Sequence, residues 1–386
     1  MELEIAKITC MVHGSLFKGL LEELHQAGIY DIYNYSGRMA VLEDPRGLAV
    51  LLRSAGLASE PVEILRFFVP IAAEEQAIAM VAKRCRLNIP GRGTVYSERL
   101  KLSQCHPGIS LNQNLDLSQY HPAGFQIFRQ LMGITCIVQR GEADDVVRML
   151  LHLGVVPTVM HGAGTGIRDR LGLLRITLPK EKDLILMVVG PTEADFITEK
   201  IIRVGRLERP GRGFIYQTPV SCGMINFKSS NRQVGHAASI DQIIAAIDAL
   251  KGDFSWRQGA TGIDQQVKRS YMTGIEVSAF MNEGYSAALA REVMRLGVTG
   301  ATVLSPKLIR PSLQSDQRVL PAREVVRMMI PAERLQGVID ICRELDICGE
   351  GGESFIVVGD VPRAFTYQAK EKKSTNQRLA AKEHLK

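Results

Sequence analysis

Aromatic side chains are scarce: 386 residues hold one tryptophan, and Phe, Tyr and Trp together make up 6%. So little ring surface argues against a binder of single-stranded nucleic acid, which stacks bases on aromatic faces. No apolar run reaches the ~18 residues needed to cross a bilayer. The opening MELEIAKITC has neither the basic region nor the apolar stretch of a secretory signal. No membrane insertion and a cytoplasmic location are therefore expected. Seven cysteines (Cys10, Cys85, Cys105, Cys136, Cys222, Cys342, Cys348) are scattered without a CxxC pair. An odd, dispersed set implies reduced thiols and excludes a disulfide framework, and it lacks the ligand spacing of a zinc site.

Neither sign of charge dominates: 47 Lys and Arg stand against 41 Asp and Glu, a net charge of +6. The tail from Gln368 to Lys386 holds six cations and two carboxylates, so most of the excess sits there and the body is nearly neutral. That is a polar tail, not a nucleic-acid surface. What is present is the balance of a globular protein, 46% hydrophobic and 23% charged, long enough for two or three domains.

A repeat organises the chain. KITCMVHG from Lys7, GITCIVQRG from Gly133 and IEVSAFMN from Ile275 are short β-like runs, each followed by apolar residues at helical spacing. The helical sets are Leu16, Leu20, Leu21 and Leu24; Val146, Val147, Leu150 and Leu151; and Leu289, Val293 and Leu296. Each helix is predicted to end at a glycine (Gly28, Gly154, Gly297), a residue suited to the left-handed stop. Ile8 to Gly28, Ile134 to Gly154 and Val277 to Gly297 are all 20 residues apart.

The second halves repeat too. VEILRFFVP, DLILMVVGP and REVVRMMIP read as strands ending at Pro70, Pro191 and Pro331, with the prolines fitting the first turn of a following helix. Adding the strands YDIYNY, PTVMHG and ATVLSP gives β-α-β-β-α-β three times, the split βαβ order. The expected fold is α+β: three tandem ferredoxin-like repeats at residues 1–100, 133–220 and 273–367. A linker at 101–132, a connecting segment with one helix (about Ser239 to Leu250) at 221–272, and a basic tail at 368–386 complete the chain. The connection between second and third strands spans about 20 to 27 residues in each repeat, far beyond a tight hairpin, and such loops usually carry function.

The candidate binding residues are Gly91, Arg92 and Gly93 in one PGRG turn and Gly211, Arg212 and Gly213 in another, with Arg206 (and its counterpart Arg86) adding charge nearby. Glycines let backbone N–H groups converge on an anion, and a guanidinium is a bidentate phosphate donor. The same glycines also suit a plain turn between helix and strand. His13 and His161 lie near strand ends without a second metal ligand at suitable spacing, Cys10 and Cys136 read as small core residues, and no nucleophile–base arrangement emerges. A non-catalytic protein is expected, with no metal.

On these features the chain resembles the nitrogen-regulatory P-II superfamily. Gly162-Ala163-Gly164 matches the base of that family's long T-loop, and Gly213 to Val220 matches its strand after the glycine B-loop, including the late Pro-Val. The second repeat matches best, and the resemblance covers about 290 of the 386 residues. Family members are typically homotrimers that hold adenine nucleotides between subunits. The resemblance therefore implies an intrachain pseudo-trimer, with ATP, ADP or AMP as the ligand at Gly162, Gly164 and the PGRG turns. A protein partner would read the loops, and the chain would be monomeric or a low-order homo-oligomer. Departures are specific. The family's B-loop lysine is replaced by Thr94, Phe214 and, approximately, Ser354; its T-loop glutamine falls at about Gly166; and 167–182 contains no tyrosine. A response to 2-oxoglutarate and uridylylation of that loop are not expected. The alternative is a structural or assembly protein built from degenerate repeats.

Overall fold

A computed structural model describes residues 3–42, 57–89, 91–103, 115–166, 180–225, 269–298, 300–310, 322–347 and 354–368. The first stretch runs β1 (Leu3–His13), α1 (Phe17–Gln26), β2 (Ile32–Leu42), β3 (Leu57–Pro70), α2 (Glu74–Cys85) and β4 (Gly93–Ser103). The second runs β5 (Phe128–Gln139), α3 (Ala143–His152), β6 (Thr158–Gly166), β7 (Lys180–Val189), α4 (Pro191–Val204) and β8 (Gly213–Met224). The third runs β9 (Met272–Asn282), α5 (Ser286–Arg295), β10 (Gly300–Leu304), β11 (Lys307–Ile309), β12 (Arg323–Ile330), α6 (Leu335–Glu344) and β13 (Phe355–Thr366). No helix among the described residues is long and apolar enough to cross a membrane.

All the described strands join one large antiparallel sheet. Within each stretch the order is the same: β2-β3-β1-β4, β6-β7-β5-β8 and β10-β12-β9-β13. The outer strands of one stretch pair with those of the others. Arg38 on β2 faces Val159 on β6, Ala163 on β6 faces Val303 on β10, and Lys307 on β11 faces Asn34 on β2. These are one register, because each first-named residue lies three past the residue (Tyr35, Met160, Leu304) opposite Ile64, Leu184 or Val325 in its own stretch. At the other edge the start of β4 pairs with the end of β8, the start of β8 with the end of β13, and the start of β13 with the end of β4.

The helices stop as the sequence predicts. Gly28, Gly154 and Gly297 have φ of 82°, 79° and 83°, and the next residue donates back five positions: Ile29 to Leu24, Val155 to Leu150 and Val298 to Val293. The second helices end by the same bond, Leu87 to Ala82, Leu207 to Ile202 and Ile347 to Cys342. There the left-handed residue is Arg86, Arg206 or Asp346, at φ of 51–53°. Pro191 opens α4 as expected, whereas Pro70 and Pro331 precede short 3-10 turns, Ile71–Ala73 and Ala332–Arg334, that lead into α2 and α6.

Some expectations are corrected. Strands fill part of what reads as loop: β3 begins at Leu57 and β6 continues through Gly166, and the remaining loop residues 43–56, 167–179 and 311–321 lie outside the described residues. Part of the expected linker is packed, since Leu117 and Tyr120 are buried beside α1 and α2, Tyr120 bonds Glu23, and Asp116 N–H donates to Ala27 O. Leu296 is 39% exposed, because at the end of α5 it turns over Gly337 of α6 instead of facing the sheet. The helix expected at Ser239 to Leu250 and the tail from 369 onward also lie outside the described residues.

Strand periodicity divides the core of the described residues between the two faces of the sheet. Even residues of β1 (Ala6, Ile8, Cys10, Val12) pack under α1 and α2, and the second and third stretches bury equivalent sets under their own helices. The odd residues Ile5 and Met11 join Tyr33, Phe68, Leu131, Leu186, Phe280 and Phe355 in a core shared by all three stretches. Phe280 and Phe355 stack at 4.5 Å between ring centroids, and Phe68 meets each edge-on at 5.6 and 5.4 Å. Phe280→Ala is expected to cost ~3–5 kcal/mol, read as a lowered urea midpoint; a shift below that of an exposed-site control, Tyr285→Ala, contradicts the shared core.

Two buried ion pairs cross this core, Lys7–Glu98 at 2.8 Å and Arg327–Glu276 at 2.6 Å. Burial pushes the Glu276 carboxyl up, but Arg327 and Lys7 outweigh it and hold it at about 2, below its ordinary 4.5. The stability this lends is complete above about 4.5 and lost as pH falls toward 2. Glu276→Gln is expected to lower stability at neutral pH and to flatten the dependence of the thermal midpoint on pH across that window. An unchanged acid slope rejects the assignment.

Candidate ligand site at the junctions

The two PGRG turns follow from how helix meets strand. After the left-handed Arg86 and Arg206 end α2 and α4, Gly91 and Gly211 (φ of 82° and 72°) reverse the chain into β4 and β8. Gly93 and Gly213 then sit against the neighbouring strand: a Cβ on either would lie 2.3 Å from Met11 O or Ile137 O. These glycines are required by close backbone approach. Around Gly211 nothing lies within 4 Å of an added Cβ, so that position is open.

The arginines of the turns have different partners. Arg92 Nε donates to Cys85 O at 2.6 Å, bracing the end of α2. Arg212 pairs with Glu142, the residue that caps α3. Arg206 serves through its backbone conformation, a place that Asp346 fills in the third stretch. Gly162 and Gly164 belong to a strand. A Cβ at Gly162 would come 2.8 Å from Leu304 on β10, and one at Gly164 would come 2.6 Å from Lys182 on β7.

The registers put Gly162 and Gly213 at one end of the second four-stranded stretch. His161 on β6 faces Asp183 on β7, Asp183 faces Val138 on β5, and Val138 faces Gly213 on β8. Three strand spacings separate Gly162 from Gly213, roughly 14 Å. Both ends of this line meet the third stretch: β6 pairs with β10, and Thr366 Oγ1 of β13 donates to Gly213 O at 3.0 Å. Along it lie Arg212–Glu142, Arg140–Glu181 and a contact between His161 Nδ1 and Asp183 Oδ1 at 2.8 Å. Asp183 is buried and its second oxygen accepts from Gly141 N–H at 2.8 Å, which fixes the imidazole and leaves Nε2 of the half-exposed His161 as its other polar atom. Sequence spacing missed this pair, because its members lie 22 residues apart on facing strands.

Elsewhere, a cavity of about 480 Å3 opens where β4, β8 and β13 meet, with Leu100, Leu131, Met132 and Val220 among its walls and Glu98 and Glu276 in its lining. The described cysteines offer no nucleophile. Cys10, Cys85, Cys136, Cys222 and Cys342 are buried, and burial pushes Cys136 and Cys342 up to about 12.

The glycines divide into those needed by the fold and those free for a ligand. Gly213→Ala is expected to destabilise by about 3 kcal/mol through overpacking, and Gly211→Ala by about 1 kcal/mol through its left-handed backbone alone. Urea unfolding of both variants checks this; equal losses, or a greater loss at Gly211, contradict the division. No protein-family model matches this chain, and no curated protein matches it.

Proposed function

We propose that the protein is a non-catalytic sensor of P-II type: three ferredoxin-like units in one chain, closed into a pseudo-trimer, that bind a small anionic ligand of the adenine-nucleotide class at the junction between units. Binding at the sheet end would bias the hairpin that leaves β6 and returns in β7, and a protein partner would read that hairpin. The observation that carries the proposal is the single register shared by the junctions at Arg38–Val159, Ala163–Val303 and Lys307–Asn34. One repeated junction, with the open turn at Gly211 beside the second stretch, suits a ligand of nucleotide length lying across roughly 14 Å of strand ends. Ordering a loop on binding needs only a few kcal/mol of differential affinity.

An assembly protein with rigid, ligand-free units is the second reading. The partners of Arg92 and Arg212, Cys85 O and Glu142, favour it, since both guanidinium groups are already engaged. Titration calorimetry with ATP, ADP and AMP, with and without magnesium, separates the two. The sensor reading expects saturable binding at one to three sites per chain, weakened about tenfold by Arg212→Ala, the loss of one hydrogen bond to charge. No heat and no thermal stabilisation with any nucleotide rejects it in favour of the assembly reading.

A further inference from the structure

At the centre of the shared core, β1, β3 and β12 carry charge inward. Lys7, Arg66 and Arg327 are 5%, 4% and 8% exposed. Arg66 lies opposite Thr9, and Arg327 lies opposite Ser278, the corresponding point of the third stretch. Among the described residues two carboxylates answer these three cations, and each already holds one of them: Glu98 binds Lys7, and Glu276 binds Arg327 through both of its oxygens. Arg66 is left with the ring of Tyr35, 4.8 Å from its centroid. Its Nε and the Nη1 of Arg327 are buried and find no acceptor among the described residues.

These groups line one void of about 10 Å3, together with Lys7, Tyr96, Thr135 and Glu98. A buried excess positive charge is unfavourable unless something neutralises it, and donors without acceptors carry their full desolvation cost. The volume fits about one water-sized particle, which excludes phosphate, sulfate and any nucleotide. A water could accept from both donors but would leave the charge uncompensated.

We propose that this void is a site for a monatomic anion of the halide class, chloride being the probe, held between Arg66 and Arg327 at the point where the three stretches meet. The site is separate from the junction glycines and does not depend on the sensor reading.

The test is thermal unfolding of the full chain in sodium chloride against sodium gluconate at equal ionic strength. The midpoint is expected to rise with chloride and saturate as one-site binding requires, to do so with bromide, and to stay flat in gluconate. Arg66→Met is expected to abolish the chloride response. An equal rise in both salts, or a chloride response that survives in Arg66→Met, overturns the proposal. Should that variant fail to fold, bromide-soaked crystals of the unaltered protein decide: an anomalous peak beside Arg66 Nε supports the site, and a water or no peak there overturns it.

Discussion

A β-sheet edge presents unpaired N–H and C=O groups, and the rest of this structure depends on how those edges are closed. Each four-stranded segment has two edges, one at β2, β6 or β10 and one at β4, β8 or β13. Every one of these edge strands is paired with a strand of another segment. In the third segment the second strand is broken at Ser305–Pro306 and resumes as β11, because proline cannot donate to a ladder. The pairing to β2 nevertheless continues through Lys307 to Ile309. Closure therefore tolerates a proline without losing its register.

Closing the edges turns one face of each sheet inward, and the chemistry of that face follows. The helices cover the outer faces with ordinary aliphatic packing. The inner faces have only one another, so bulky rings and charged groups must fill the middle together. Phe68, Phe280 and Phe355 occupy one part of it, while Lys7, Glu98, Glu276 and Arg327 occupy another. Buried ion pairs seldom add net stability over apolar packing. Here each cation has its acceptor on a neighbouring strand, Lys7 of β1 on β4 and Arg327 of β12 on β9.

The order of strands and helices in each stretch was legible because it rests on local chemistry. Strand periodicity, the 20-residue interval and the helix-ending glycines are all written in short stretches of sequence. The stops after α2, α4 and α6 were not, since Arg86, Arg206 and Asp346 carry no glycine signal; the buried Leu87, Leu207 and Ile347 one residue on are the trace they leave. The PGRG glycines were visible, but not their reason, because the close approach of Gly93 to Met11 and Gly213 to Ile137 joins strands far apart in the chain. His161–Asp183 and Arg212–Glu142 were hidden for the same cause. A signal for the central charges did exist: Lys7, Arg66, Glu276 and Arg327 each interrupt an apolar strand on its inward phase.

That inward phase also explains what three unlike segments in one chain achieve. Lys7, Gly133 and Glu276 hold the same position of the first strand, one residue before Ile8, Ile134 and Val277. Were the segments identical, this point would gather three lysines or three glutamates in a dry core, where like charges repel strongly. Divergence places a cation, a glycine and an anion there instead, and Lys7 helps to hold Glu276 ionised. Gly133 is not a neutral filler, since a Cβ on it would come 2.8 Å from Thr218 Oγ1. The next inward layer also differs between the segments, with Arg66, Leu186 and Arg327 at one register, so that two cations stand there and not three. A chain whose segments differ can thus build a polar centre that identical copies could not.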